Sequence, residues 1–185
     1  MLRYGKVILR QKVLEDAERD YAWQSDPELA GLDAVKPLKV SFQVYLEEYK
    51  TVLSYPSPKR FQLAVETAEG VHIGNCACYN IDYKKGEAEV GIMIGRRDFW
   101  DQGYGSDAMT ALADYIFNET DLKLLYLKTL DYNFRAQQCF RKCGFAPDGR
   151  GENDQHSFVL MSLKRQQWFK RKQAARTAPS PLTEK

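Results

Sequence analysis

Two glycines one residue apart stand where a predicted strand gives way to a predicted helix. They are Gly103 and Gly105 in residues 99–108 (FWDQGYGSDA), which follow the apolar run at residues 90–94 (VGIMI). Apolar residues then recur at helical spacing from Met109 to Phe117. Such glycines leave backbone N–H groups uncovered at the positive end of a helix dipole, an arrangement that suits an anion, most often a phosphate. The segment therefore predicts a binding site for a phosphorylated small molecule.

The segments around this loop indicate a mixed sheet. Their apolar patterns predict strands at residues 7–10, 61–66, 71–81, 87–95, 124–129 and 157–163, and helices that begin near Glu15, Ser41, Ser106 and Asn133. Short turns before the loop predict antiparallel hairpins, whereas the helix after it predicts a parallel crossover. The predicted fold class is α/β (an α+β mixed sheet), mostly antiparallel with one parallel βαβ unit.

The composition is that of one ordinary globular domain. Of the 185 residues, 44% are apolar and 28% are charged. We predict a single domain over residues 1–168. Residues 169–185 form a basic tail with Pro, Thr and Ser, and the composition of this tail predicts disorder.

The charge distribution and hydropathy exclude several classes of partner. Residues 164–185 carry seven of the 27 basic residues and one of the 25 acidic ones, so the rest of the chain is acidic. Nucleic-acid-binding domains carry positive charge on the folded body, and we predict no nucleic-acid partner. No apolar stretch approaches the ~20 residues that span a bilayer, and no signal-peptide pattern follows residues 1–6. The sequence therefore predicts a cytoplasmic protein with no membrane partner.

The cysteines allow two interpretations. Cys76 and Cys78 share one face of a predicted strand, and Cys139 and Cys143 share one face of a predicted helix. Four thiolates could hold zinc, but neither pair has the usual C-x-x-C spacing. We favour reduced, packed thiols and no metal.

Two motifs carry a resemblance to a known family. Residues 89–95 (EVGIMIG) lead into residues 99–108, and residues 133–145 (NFRAQQCFRKCGF) follow about 30 residues later. Together they resemble the GNAT superfamily of acyl-CoA-dependent N-acetyltransferases, within it the RimJ/RimL-like branch and the spermidine acetyltransferases. The resemblance implies a GNAT fold with a splayed acyl-CoA cleft and acetyl-CoA as the cosubstrate.

The resemblance also implies which residues hold the cofactor. Backbone amides of the glycine loop would cradle the pyrophosphate, residues of the preceding strand would lie along the pantetheine, and Asn133 would hydrogen-bond the pantetheine arm. The implied cofactor-binding residues are Ile92, Met93, Ile94, Gln102, Gly103, Tyr104, Gly105, Ser106, Asn133 and Phe140.

Acetyl transfer needs a free amine, a donor for the oxyanion and a leaving thiolate. We predict that a backbone N–H at Met93 or Ile94 meets the oxyanion. Glu89 is the predicted general base, acting through water, although it could equally lie on the solvent face of an alternating strand. Asp131 and Tyr132 are the reserve candidates for the base.

The leaving group reveals a departure from the family pattern. Many members carry a tyrosine seven residues after the asparagine, which protonates the sulfur, whereas this chain has Phe140 there. Cys139 or Tyr104 could replace that acid. A thiol of pKa near ~8.5 also leaves tolerably as the thiolate, so positioning alone could suffice.

The segment before Pro58, where the family varies, is expected to bind the acceptor. Trp23, Asp33 and Glu48 are the predicted substrate-binding residues because carboxylates and aromatics suit a cationic amine. The same residues also suit a plain amphipathic helix pair. The predicted acceptor is a primary amine of a small cationic molecule or a protein N-terminus, and the protein is a monomer or homodimer. The alternative is a non-catalytic acyl-CoA-binding or regulatory domain.

Overall fold

The computed structural model describes residues 1–177, in which one sheet joins all the strands. The strands are β1 (Leu2–Tyr4), β2 (Val7–Gln11), β3 (Phe61–Thr67), β4 (His72–Asp82), β5 (Glu87–Ile94), β6 (Leu124–Leu130), β7 (Ala146–Glu152) and β8 (Ser157–Lys164). The helices are α1 (Ala17–Ser25), α2 (Pro27–Leu32), α3 (Phe42–Ser54), α4 (Tyr104–Glu119), α5 (Phe134–Cys143) and α6 (Arg165–Thr177). The eight strands lie in the order β1-β2-β3-β4-β5-β6-β8-β7.

The sheet is antiparallel except between β5 and β6, which α4 connects as a parallel crossover. This arrangement confirms the predicted fold class. The parallel pairing begins at Glu87 and Leu124 and ends at Glu89 and Tyr126. Both strands continue beyond that point without pairing to each other, so the sheet splays open between them along the second half of β5.

Helices pack on both faces of the sheet. On one face α4 buries Met109, Leu112, Ile116 and other apolar side chains in the main core. On the other face Asn75 of β4 donates a hydrogen bond to Asp20 of α1. Successive side chains of a strand point to opposite faces, which explains how neighbouring positions of β4 serve the core and the α1 side.

Four elements were absent from the sequence expectations: β1, α2, β7 and α6. Strand β7 contains Pro147 and two glycines, a poor strand composition, and it forms as an edge strand against β8. The expectation of a disordered tail over residues 169–185 is wrong as far as Thr177, because residues 165–177 form α6. Trp168 of this helix is buried and its ring packs against Phe117, which anchors the helix to the core. The rest of the predicted tail, residues 178–185, lies outside the described residues.

The predicted helix boundaries follow local backbone chemistry. The side chain of Ser41 caps α3, and Gly144 ends α5 with φ +100°, as the sequence predicts. Helix α4 begins at Tyr104, two residues before the predicted start. Among residues 1–177 no helix combines the length and the apolar character required to cross a membrane.

Candidate active site

The glycine loop and α4 form one wall of a cavity of about 330 Å³. Gly103 is the N-cap of α4 with φ +87°, a conformation that costs a side-chain-bearing residue about 1–2 kcal/mol. No side chain caps this helix. The first N–H groups of α4 therefore remain available to an anion, as the sequence predicts.

Two cationic side chains, Arg135 and Lys142, line the same cavity. The guanidinium of Arg135 lies 3.4 Å from the ring centroid of Trp100. The indole of Trp100 is itself fixed by a 2.6 Å hydrogen bond from its Nε1 to the carbonyl of Ile94. The arrangement places positive charge opposite the helix N-terminus, which fits a ligand with several phosphates.

The turn between β1 and β2 supports the glycine loop from outside. Lys6 donates from its Nζ to the carbonyl of Gln102 at 2.7 Å, and its backbone N–H donates to Asp107 at 3.1 Å. The ring of Tyr104 packs against Phe99 and lies beneath the ammonium of Lys6. Neither Gln102 nor Tyr104 lines the cavity. This placement gives no support to Tyr104 as the acid for the leaving thiolate.

Asn133 caps α5 by accepting a 3.2 Å hydrogen bond from the Ala136 N–H at its Oδ1. With the oxygen occupied, the side-chain NH₂ group is the part that can donate to a ligand. The capping interaction therefore fixes the orientation of the amide at the edge of the cavity.

A second, larger cavity of about 940 Å³ opens on the other side of β5. The two cavities share their lining at Leu32, Asp33, Ile92, Met93, Asn133 and Ala136. They therefore meet at the splayed half of β5. A long ligand in the smaller cavity and a second ligand in the larger one can touch at this junction.

Glu89 lines the larger cavity and is 8% exposed. Its Oε1 accepts a 3.2 Å hydrogen bond from the hydroxyl of Tyr79, and its Oε2 accepts a 2.9 Å bond from the Nδ2 of Asn80. Burial, followed by the nearby Glu89 charge, raises the pKa of Tyr79, which keeps this hydroxyl protonated as a donor. Glu89 is therefore an oriented carboxylate within the cleft and not part of the solvent face of the strand.

The three predicted acceptor residues do not all lie at one site. Trp23 and Asp33 line the larger cavity, whereas Glu48 is exposed on α3 and lines neither cavity. Asp33 is accessible from the cleft, yet protein surrounds it on several sides. The resulting loss of solvation raises the pKa of Asp33 to about 6.

The remaining candidates for catalysis also lie in different places, some at a cavity and some outside both. Asp131 and Tyr132 are exposed and line neither cavity. Phe140 is buried and borders the larger cavity. Cys139 lines the smaller cavity, where its Sγ lies 3.6 Å from the hydroxyl of Ser106 beside the glycine loop.

The pKa values of the four thiols shift in different directions. A hydrogen bond with Cys143 lowers the pKa of Cys139, and the same interaction together with burial raises that of Cys143. Burial raises the pKa of Cys76 and of Cys78 to about 12. Within residues 1–177 no three potential metal ligands of the His, Cys, Asp and Glu types come together.

A buried polar network behind the larger cavity was missed from the sequence. The ammonium of Lys12 lies 2.6 Å from Asp20 and 2.5 Å from the side-chain oxygen of Asn75. Asn75 in turn donates to Asp20 at 2.8 Å. Asp20 and Asn75 both border the cavity, so this network fixes its floor.

The network continues away from the cavity to Asp16. Arg10 binds Asp16 through two hydrogen bonds of 2.7 Å, and the Nδ1 of His72 lies 3.2 Å from the same carboxylate. Burial alone would raise the pKa of Asp16, but the hydrogen bonds from Arg10 and the close contact with His72 outweigh it and hold that pKa well below the usual range. His72 therefore has a structural role, as the sequence predicts.

Comparison with known proteins gives one consistent result. Residues 6–146 match the family model described as an acetyltransferase (GNAT) domain. The uncharacterized N-acetyltransferase p20 of Bacillus licheniformis is 27% identical over 146 residues, which cover 78% of this chain and 81% of that protein.

Solved structures share the fold. A spermidine N-acetyltransferase from Vibrio cholerae, in complex with CoA and spermine, superposes with a TM-score of 0.79 at 19% identity, over 89% of this chain and 98% of the other. The aminoglycoside acetyltransferase AAC(6')-Ib with coenzyme A superposes with a TM-score of 0.74 at 19% identity, over 90% and 99% of the two chains. The RimJ/RimL-like branch stays a prediction. The chain itself belongs to the GNAT acetyltransferase family and is an N-acetyltransferase that takes its acetyl group from acetyl-CoA.

Proposed function

We propose that the enzyme transfers the acetyl group to a primary amine by direct attack of the amine on the thioester. The observation that carries the proposal is the junction of the two cavities at Met93, within the splayed half of β5. Acetyl-CoA would occupy the smaller cavity, and the amine would enter through the larger one. No covalent intermediate on the protein is needed in this arrangement.

The binding of acetyl-CoA follows from the residues of the smaller cavity. The N–H groups at Gly103, Tyr104, Gly105 and Ser106 would hold the pyrophosphate, with Arg135 and Lys142 as its cationic partners. Ile92, Met93 and Ile94 would pair with the pantetheine amides as a peptide strand does, and Asn133 would donate its NH₂ group.

The proton of the amine would pass to Glu89. An ammonium has a pKa near ~10, so a base is required to expose the lone pair. Glu89 would accept the proton through a water molecule in the larger cavity. The N–H of Met93 or Ile94 would donate to the oxyanion of the tetrahedral intermediate.

The thiolate would leave without an acid from the protein at position 140. Phe140 has no proton to donate, and Cys139 borders the phosphate end of the smaller cavity. Loss of the thiolate is tolerable because its pKa is near ~8.5. Catalysis would then depend mainly on positioning and on Glu89.

The acceptor class is proposed by comparison with related structures. Related structures are described with spermine and with kanamycin as bound amines. We propose a primary amine of a small cationic molecule or of a protein N-terminus as the acceptor for this enzyme. It would act in the cytoplasm as a monomer or homodimer, where its four unpaired thiols would stay reduced.

The test is thiol release from acetyl-CoA in the presence of a panel of amines. The panel contains spermidine, spermine, aminoglycosides, amino acids and short peptides with free N-termini. Amine-dependent release, with the acetylated amine identified by mass spectrometry, would support the proposal. Tight binding of CoA with no release across the panel would contradict it and favour the non-catalytic alternative.

A further inference from the structure

The larger cavity is lined by charges of both signs. Asp33 and Glu89 provide negative charge, and Asp20 is already bound to Lys12. The cations that line the same cavity are Lys36, Lys59, Arg60 and Lys128. All four are exposed, and among residues 1–177 none of them forms an ion pair within 4.0 Å.

The sheet register gives the approximate separation of the backbones at Arg60 and Glu89. Tyr79 pairs with Glu89, and its neighbour Cys78 pairs with the first residue of β3. Arg60 immediately precedes that strand, so it lies two strands away from Glu89. With neighbouring strands about 4.8 Å apart, the backbones at these two positions are separated by about 10 Å.

Lys128 approaches the cavity from the opposite side. It lies on β6 two residues beyond Tyr126, the last residue that pairs with β5. Its ammonium lies 5.5 Å from the ring centroid of Phe158, which also lines the cavity. Arg60, just before β3, and Lys128 on β6 therefore line the same cavity from different strands.

A cavity of this kind disfavours polycationic ligands. Two carboxylates can attract one ammonium, but a second ammonium in the cavity would be repelled by its four cations. An anionic group would be attracted by them instead. The charges fit a ligand that carries an amine at one end and an anion at the other.

We infer that the acceptor is an amine that also carries an anionic group, a carboxylate or a phosphate. A peptide with a free N-terminus and acidic side chains in its next positions has this chemistry. So does a small amine with a phosphate or carboxylate. The inference rests on the proposed function and narrows its substrate class.

The cations of the larger cavity are distinct from those that face the predicted pyrophosphate site. Arg135 and Lys142 line the smaller cavity, whereas Arg60 and Lys128 line only the larger one. Removal of the charges at Arg60 and Lys128 should therefore change the KM for the acceptor and leave the dissociation constant of CoA unchanged. This difference separates the inference from a role in cofactor binding.

The experiment compares three tripeptides of equal length with three small amines. Peptides Ser-Asp-Glu, Ser-Gln-Gln and Ser-Lys-Lys, together with phosphoethanolamine, β-alanine and spermidine, are assayed with the wild type, with the double variant Arg60→Gln/Lys128→Gln and with Lys84→Gln. Lys84 is exposed in the turn between β4 and β5 and lines neither cavity, so its variant controls for the loss of surface charge. CoA binding is measured for each protein by calorimetry.

We expect the wild type to favour anionic acceptors over matched neutral ones, and the double variant to raise the KM for anionic acceptors about three- to tenfold. The KM for Ser-Gln-Gln and the affinity for CoA should change less than about twofold, as should every value for Lys84→Gln. The peptide and small-molecule arms distinguish the two sources of the anion.

Three results would overturn the inference. The first is faster turnover of spermidine or Ser-Lys-Lys than of the anionic amines. The second is an equal loss of neutral and anionic acceptors in the double variant, and the third is weaker CoA binding in that variant. If some amines are acetylated but anions confer no advantage, the inference fails while the proposed function stands. If no amine is acetylated, both fail.

Discussion

The hydroxyl of Tyr79 on β4 donates a 3.2 Å hydrogen bond to the Oε1 of Glu89, its cross-strand neighbour on β5. A second bond from Asn80 holds the other carboxylate oxygen. Together they orient a nearly buried carboxylate beside the larger cavity. This geometry is what a general base requires, since proton transfer depends on position before it depends on pKa.

Substitution of Glu89 should therefore affect catalysis much more than cofactor binding. We expect Glu89→Gln to lower kcat by about 100-fold or more, with the KM for acetyl-CoA changed less than about twofold. Glu87→Gln is the matched control, because Glu87 lies two residues away on the same strand and outside both cavities. Equal losses of kcat in the two variants, measured by steady-state kinetics, would exclude Glu89 as the base.

Gly103 can be tested against Gly70, a glycine of similar backbone geometry. Their φ angles are +87° and +82°, and neither has a neighbour closer than 4.0 Å to an added Cβ. Each alanine variant should lose about 1–2 kcal/mol of unfolding free energy. Only Gly103→Ala should also weaken CoA binding, by about tenfold, because it disturbs the N-terminus of α4. Calorimetry that shows equal CoA affinity in both variants would contradict the predicted phosphate site.

Cys139 should be the thiol that alkylating reagents modify first. Its lowered pKa favours the thiolate, while the other three thiols are buried with raised pKa values. We expect iodoacetamide to modify Cys139 and to block CoA binding, and CoA to protect the thiol. Peptide mapping by mass spectrometry identifies the site. Modification that is unaffected by saturating CoA would place Cys139 outside the cofactor site.

Asp33 should make acceptor binding depend on pH. Its pKa of about 6, raised by desolvation, means that the carboxylate is ionised above that pH and neutral below it. The attraction for an ammonium is thus present above pH 6 and lost as the pH falls. The KM for the amine should decrease about three- to tenfold between pH 5 and pH 7.5 in the wild type, a step absent from Asp33→Asn. The same step in both proteins would assign the titration to another group.

The network around Asp16 should dominate acid stability. Its folded-state pKa lies below the unfolded value of about 3.9, so its contribution is complete above that pH and is lost as the pH falls through the folded value. Because Asp16 is 1% exposed, we expect Asp16→Asn to lose about 3–5 kcal/mol of unfolding free energy at pH 7. The difference from the wild type should shrink below about pH 4.

Urea denaturation at several pH values measures this effect. Asp148→Asn, at an exposed position on β7, is the control for loss of a carboxylate. The unfolding free energy that Asp16→Asn loses relative to the wild type should vary with pH. If it does not, or if Asp148→Asn loses a comparable amount, the result contradicts a role for the ionic network.

The parts of the site that the sequence predicts are those with local backbone requirements. Gly103 must adopt a positive φ angle before α4, and Asn133 must cap α5, so both are recognisable within a few residues. The parallel crossover follows from the order of strand, helix and strand. These features give the fold class and the predicted phosphate site.

The larger cavity and the network behind it depend on contacts between segments that are distant in the sequence, which the sequence patterns do not reveal. Lys12 and Asn75 are separated by 63 residues, and no local pattern distinguishes their buried contact from an exposed lysine. Glu48 and Asp131 have suitable chemistry but lie outside both cavities, because the faces of α3 and the end of β6 are set by packing. Helix α6 was missed since a basic, polar segment resembles a tail until Trp168 is seen against Phe117.

The meeting of the two cavities at Met93 has a kinetic consequence. With the thioester in place, its acetyl group would itself form part of the surface that the amine encounters. The complete acceptor pocket would then exist only in the binary complex with acetyl-CoA. Substrates would add in a compulsory order, acetyl-CoA first, and the reaction would proceed through a ternary complex.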